Sequence, residues 1–162
     1  MTISSNLERL NYDSPDGCIA TGVHREVIQS VGATRTLKAE ESGSLCLLDR
    51  AAGVIYTLPT PVEGMTFEFL ATVSVTSNAY KVITAASTQF LVGAVVASSL
   101  TAGAQDTFVA DGTTIVAISA AGSTTGGLIG ERYVVTAIST TQWAIHGVTQ
   151  GSGTLATAFA TS

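Results

Sequence analysis

Residues 65–76 show the most regular pattern in the chain, an alternation of larger apolar side chains with mainly polar ones. On an extended backbone, the side chains of Phe67, Phe69, Ala71, Val73 and Val75 would share one face. A period of two is typical of a β-strand that buries one face. A single strand leaves its backbone hydrogen-bonding groups unpaired, so this run requires partner strands from elsewhere in the chain.

The rest of the chain supplies further short runs of β-forming residues, separated by Gly, Pro, Asn and Asp. We predict strands at 34–38, 44–49, 54–58, 80–84, 90–97, 107–110, 114–119, 131–139 and 142–148. Hairpin turns are expected at 50–53, 111–112 and 140–141. Only 12% of the residues are charged, which disfavours a helical bundle. The predicted fold is all-β, an antiparallel β-sandwich or jelly-roll-like body of about ten short strands.

Charge is unevenly distributed along the 162 residues. Only seven of the 19 charged residues follow residue 50, and the other twelve lie within residues 1–50. This shift predicts an extended N-terminal arm over 1–33, with a short strand at 23–31, and a compact β domain over 34–162. The arm contains apolar residues that a solvated tail does not need, so we expect it to dock on a partner. They include Leu7, Leu10, Tyr12, Ile19, Val27 and Ile28.

Composition excludes several classes of function. The net charge of −5, with no basic run, argues against nucleic-acid binding. No apolar stretch is long enough for a membrane span, and charges at the N-terminus argue against a signal peptide. Cys18 and Cys46 are expected to be free thiols in a reducing compartment.

Catalytic patterns are also missing from the sequence. His24 and His146 are far apart and have no metal-ligand spacing, and His146 is expected on the surface or at an interface. The glycines of 122–130 match no phosphate-binding motif, which makes this segment a loop. We predict a protein without enzymatic activity, cofactor, metal or small-molecule substrate.

The charge-poor body has an implication for assembly. Charged residues normally protect sheet edges and faces from pairing with other chains. A body with so few of them is expected to bury surface against copies of itself, a trimer being favoured over a dimer, or against a larger assembly.

Four segments of the body carry a recurring set of motifs, T-L-P-x-P-x-x-G-x-x-F-x-F and a closing strand with Trp among them. They are Thr34–Gly43, Leu47–Gly53, Thr57–Phe69 and Gly130–Val148. With these motifs, residues 34–148 resemble small structural proteins of tailed bacteriophages. These motifs have a structural explanation: a strand end, a turn and a buried alternating strand. The fold residues we expect in the core are Leu58, Pro59, Phe67, Phe69, Tyr133 and Trp143.

The resemblance implies a capsid decoration (cement) protein that binds the major capsid protein at capsomer junctions on the outside of the virion, after synthesis in the bacterial cytoplasm. The arm would then lie along the capsid protein. Its expected contact residues are Leu7, Arg9, Leu10, Tyr12, Arg25, Val27 and Ile28. Arg9, Arg25, Arg35 and Arg50 would pair with capsid carboxylates.

Two alternatives remain open at the level of sequence. One is a tail-associated or fibre-tip domain that binds a host receptor, with Trp143, Tyr133 and Tyr80 stacking on sugar. The other is a hydrolase acting on cell-wall or capsule polysaccharide, for which no residue pattern is present.

Overall fold

The computed structural model describes residues 25–162, which form twelve strands and one 3-10 turn at Ala39–Glu41. The strands are β1 Val27–Ile28, β2 Thr34–Thr36, β3 Leu45–Leu48, β4 Val54–Thr57, β5 Thr66–Ala71, β6 Tyr80–Ile83, β7 Phe90–Ser99, β8 Gln105–Asp111, β9 Ala117–Ala120, β10 Arg132–Ala137, β11 Gln142–Gly151 and β12 Phe159–Ala160. The all-β prediction is confirmed. Only β12, in the small polar tail, has no counterpart among the strands predicted from the sequence.

The strands form two mixed sheets. The seven-stranded sheet has the order β1-β3-β5-β10-β11-β7-β8, and the five-stranded sheet has the order β12-β9-β6-β4-β2. From β1 to β6 the chain passes from one sheet to the other at every strand. Neighbouring strands of this part are therefore parallel within each sheet: β1, β3 and β5 in one, β2, β4 and β6 in the other.

The expectation of antiparallel sheets is therefore wrong in part. Two of the three predicted hairpins are also wrong. The segment Arg50–Gly53 carries the chain from β3 in one sheet to β4 in the other, and Asp111–Gly112 connects β8 to β9 in the same way. Both segments do turn the chain, since the Gly53 N–H donates to the Arg50 carbonyl at 2.9 Å and Asp111 Oδ1 accepts the Thr113 N–H at 2.9 Å. The third hairpin, β10 with β11, is confirmed.

The two sheets share one hydrophobic core. The ring of Tyr56 on β4 meets that of Phe69 on β5 with centroids 5.6 Å apart, so side chains of opposite sheets are in contact. Tyr56 Oη also donates to the Leu47 carbonyl at 2.9 Å. Of the predicted fold residues, Leu58, Phe67, Phe69, Tyr133 and Trp143 are buried and Pro59 is half-buried.

The alternating run of residues 65–76 forms a shorter strand than predicted. β5 ends at Ala71, and Val73 is 39% exposed instead of sharing the buried face. The chain leaves the sheet here to cross to β6, and Val75 returns to the core with its N–H donating to the Gly127 carbonyl at 2.8 Å.

Residues 25–33 of the predicted arm lie against the body. Val27 and Ile28 pair in parallel with Leu45 and Cys46 of β3. Ile28 is 2% exposed and belongs to the core, so the prediction that it contacts a capsid is wrong. Leu7, Arg9, Leu10 and Tyr12 lie outside the described residues.

Candidate binding surface

The side of the seven-stranded sheet that faces away from the core forms a broad surface, which we call the outer face. The strand register lines up the side chains of this face in two neighbouring rows that run across the strands. One row is Val27, Leu45, Glu68, Val134, His146, Ala94 and Val109. The next row is Leu47, Leu70, Arg132, Val148, Val96 and Thr107.

The outer face is unusually apolar for a sheet surface that no other element covers within residues 25–162. Val109 is 69% exposed, Val27 53%, Val148 41% and Val96 39%. Sheets with one solvated face ordinarily carry polar side chains on it. A contiguous exposed apolar patch is typical of a protein interaction site.

A charged cluster lies within this apolar surface. Glu68, on β5, is only 4% exposed and forms ion pairs with Arg25, which precedes β1, and with Arg132, the first residue of β10. Arg25 also donates from Nε to the Gly43 carbonyl at 2.8 Å. The cluster therefore ties the start of the described chain to the middle of the sheet.

The electrostatics of the cluster are dominated by the two guanidinium groups. Burial alone would raise the pKa of Glu68, but hydrogen bonds and charge from Arg25 and Arg132 outweigh it and hold that pKa below its usual value. One carboxylate neutralises one of the two arginines, so the cluster keeps one net positive charge. The side chains of Arg25 and Arg132 are 47% and 63% exposed, which leaves that charge available to a partner.

The outer face also carries His146, which lies between Val134 and Ala94 in the register and is exposed. The adjacent residue Ile145 is buried, so the side chain of His146 points away from the core, as its position in the strand predicts. His146 could contact a partner that docks on this face.

The remaining predicted capsid contacts are dispersed. Val27 is exposed at the edge of the outer face, next to the cluster that contains Arg25. Arg35 instead forms an ion pair with Glu41 at 2.6 Å, and Arg50 Nε donates to the Gly53 carbonyl at 3.3 Å. These two arginines stabilise local turns.

The aromatic residues proposed for sugar stacking are not on the surface. Trp143 and Tyr80 are 0% exposed and Tyr133 is 1% exposed. Phe69 stacks on Tyr133 with ring centroids 5.5 Å apart. A sugar cannot reach these rings in the folded protein, so their proposed role in glycan binding is wrong.

The interior contains one acidic group that sequence analysis missed. Glu131 is 0% exposed, and its Oε2 accepts the backbone N–H groups of Gly127 at 2.6 Å and Gln150 at 3.2 Å. Through these two hydrogen bonds it connects the glycine loop to β11. Between residues 25 and 162, no group of three or more His, Cys, Asp or Glu side chains is placed to hold a metal ion.

Sequence analysis singled out Arg25 but missed Glu68 and Arg132 as members of one cluster. Glu68 occupies a polar position in an alternating run, which is the ordinary place for a solvated acid. Its burial depends on β3 and β1 lying on one side of β5 and β10 on the other, and that arrangement joins residues more than 40 positions apart.

No family model, curated protein or solved structure matches this chain. Within the described part of the chain, no helix has the length and apolar character needed to cross a membrane.

Proposed function

We propose that this protein is a non-enzymatic capsid decoration protein of a tailed bacteriophage, which binds the outer surface of the major capsid protein shell at capsomer junctions and stabilises the head. The observation that carries the proposal is the apolar outer face with its Arg25–Glu68–Arg132 cluster. The resemblance of residues 34–148 to phage structural proteins supplies the identity of the partner.

In this proposal the outer face docks against the shell. The exposed valines supply apolar contact area, and burial of such area stabilises a complex by roughly 25 cal/mol per Å² before the costs of association. Arg25 and Arg132 lie next to carboxylates of the capsid protein, because guanidinium groups suit interfacial ion pairs. Residues 1–24 extend the contact along the capsid protein, with Leu7, Arg9, Leu10 and Tyr12 as contact residues.

The proposal includes a finer description of the fold and its assembly. The two sheets form a β-sandwich, supported by the contact between Tyr56 and Phe69 across the core. The protein associates with copies of itself, and it is located on the outside of the virion.

The first experiment is the copy number of the protein per virion, measured by quantitative mass spectrometry against the major capsid protein. Hundreds of copies per particle support decoration of the head. A handful of copies per particle would contradict it and would move the protein to the tail, as a receptor-binding domain.

A second experiment tests the outer face directly. Val148→Glu and Val96→Glu place a charge on the outer face, and Val73→Glu places one at a residue of the same exposure outside the strands. Heads that lack the protein should bind the control like the wild type and bind the two outer-face variants at least about tenfold more weakly. Equal binding of all three variants would refute docking through the outer face.

A further inference from the structure

The edge strand β8 is the longest free strand edge among the described residues. It has seven residues and ends the seven-stranded sheet. The other three edge strands, β1, β2 and β12, have two, three and two residues. A long edge presents a row of backbone groups that another strand can pair with, and the short edges do not.

The register of β8 on β7 shows which backbone groups are free. One position beyond each end of the segment where β8 pairs with β7, a backbone hydrogen bond marks a bonded pair. The Ser99 N–H donates to the Ala104 carbonyl at one end, and the Gly112 N–H donates to the Leu91 carbonyl at the other, both at 2.9 Å. Alternate pairs of an antiparallel ladder exchange hydrogen bonds, so Asp106, Phe108 and Ala110 bond to β7. The residues whose N–H and C=O groups point to the free edge are Gln105, Thr107, Val109 and Asp111.

The free edge has little of the usual protection against pairing. β8 contains no Lys, no Pro and no Gly, and its only charged residues are Asp106 and Asp111 near its ends. The Thr107 N–H bonds to the side chain of Asp106 at 2.8 Å, an exposed contact that a partner strand can replace. Val109, in the middle of the edge, is 69% exposed.

We propose that β8 pairs with β8 of a second copy of this chain, antiparallel about a two-fold axis that passes through Phe108. Phe108 is the midpoint of Gln105–Asp111, so this register overlaps the whole strand. It sets Thr107 opposite Val109 and Gln105 opposite Asp111, and all four outward-facing residues of each strand then form ladder hydrogen bonds.

Charge supports the same register. With Phe108 on the axis, Asp106 faces Ala110 of the second copy and Asp111 faces Gln105, so no two carboxylates are directly opposed. Thr107 and Val109 are both β-branched, and such cross-strand pairs stabilise sheets. The resulting contact is two-fold, which differs from the trimer that the sequence favours.

The pairing leaves the outer face free. The two-fold axis is perpendicular to the sheet, so the outer faces of both copies lie on the same side and form one continuous surface. The inference does not depend on what binds to that surface, because it rests on the backbone groups of β8 alone.

Disulfide trapping tests the register. In a Cys18→Ser background, one preparation carries Thr107→Cys and another carries Val109→Cys. Paired residues in a sheet have Cα atoms about 5.5 Å apart, within the range of a disulfide. Mixing the two preparations under mild oxidation should give a cross-linked heterodimer, while each alone should give at least about tenfold less. Equal cross-linking in all three samples, or none in the mixture, would overturn the register.

Sedimentation of the full-length chain tests the association itself. We expect a dimer whose dissociation constant rises at least about tenfold in Val109→Pro, because proline removes an N–H that faces the free edge and leaves the ladder to β7 intact. Val109→Ala keeps that N–H and serves as the matched control, and thermal unfolding verifies that both variants fold. A wild-type chain that stays monomeric at about 100 µM, or a trimer insensitive to proline, would refute the proposal.

Discussion

Glu131 should make the stability of this protein fall as the pH rises from about 4.5 to neutrality. The carboxyl group is fully buried, Oε2 accepts two backbone N–H groups and Oε1 has no hydrogen-bond partner. Burial raises its pKa from 4.5 to about 7, although the hydrogen bonds from Gly127 and Gln150 act in the opposite direction. The charge of Glu131 acts on the hydroxyls of Tyr133 and Tyr80, which stay neutral because burial raises their pKa values as well.

The sign and size of the effect follow from the two pKa values. When the pKa of an acid is higher in the folded state than in the unfolded state, the folded state favours the protonated form. Ionisation of the acid therefore lowers the free energy of unfolding. The cost begins near pH 4.5, where the unfolded chain ionises, and levels off above about pH 7. A difference of about 2.5 pKa units corresponds to about 3 kcal/mol, of which roughly 2.5 kcal/mol develops between about pH 5 and pH 8.

The assay is urea unfolding of the wild type and of Glu131→Gln at a series of pH values between about pH 5 and pH 8. Glutamine keeps an acceptor for the two N–H groups and cannot ionise, so the variant should lack this loss of free energy of unfolding. Glu63→Gln, at an exposed acid, should follow the wild type. Parallel curves for the wild type and Glu131→Gln would refute the argument, because they would mean that Glu131 ionises at its ordinary pKa.

Two further sets of substitutions, one in the charged cluster and one at glycines, test how the sheet is held together. Arg25→Ala and Arg132→Ala should each cost about 1 kcal/mol in urea unfolding, and the double variant about 3 kcal/mol, because only the double variant leaves buried Glu68 without a partner. Strict additivity in this double-mutant cycle would argue against a shared cluster. Gly147→Ala should cost about 2–3 kcal/mol, since a Cβ there would lie 2.3 Å from the Arg132 carbonyl oxygen. Gly103→Ala, at a positive φ with open space around it, should cost only about 1 kcal/mol, and equal thermal destabilisation of both variants would contradict the steric explanation.

The strands themselves could be predicted because their signals are local. The alternation of Phe67, Phe69 and Ala71, the turn residues between strands and the scarcity of charge all act over a few residues. They determined an all-β fold, the position of most strands and the hairpin of β10 with β11. They also placed His146 on the exposed side of its strand.

The pairing of strands could not be predicted in the same way. Arg50–Gly53 and Asp111–Gly112 turn the chain as their residues require, but a turn does not specify whether the next strand lies beside the last one or in the opposite sheet. That choice depends on the total burial of both sheets, which involves residues far apart in the chain. The parallel pairing of β1, β3 and β5 is a result of it.

The candidate binding surface depends on the same long-range choice. The sequence by itself determined that the body has too few charges to protect its sheet faces and edges. Only the tertiary structure brought Arg25 and Arg132 to opposite sides of Glu68, placed the apolar rows on one face and left β8 at the edge. The physical reason is that side-chain alternation is set within one strand, whereas a surface is set by which strands become neighbours.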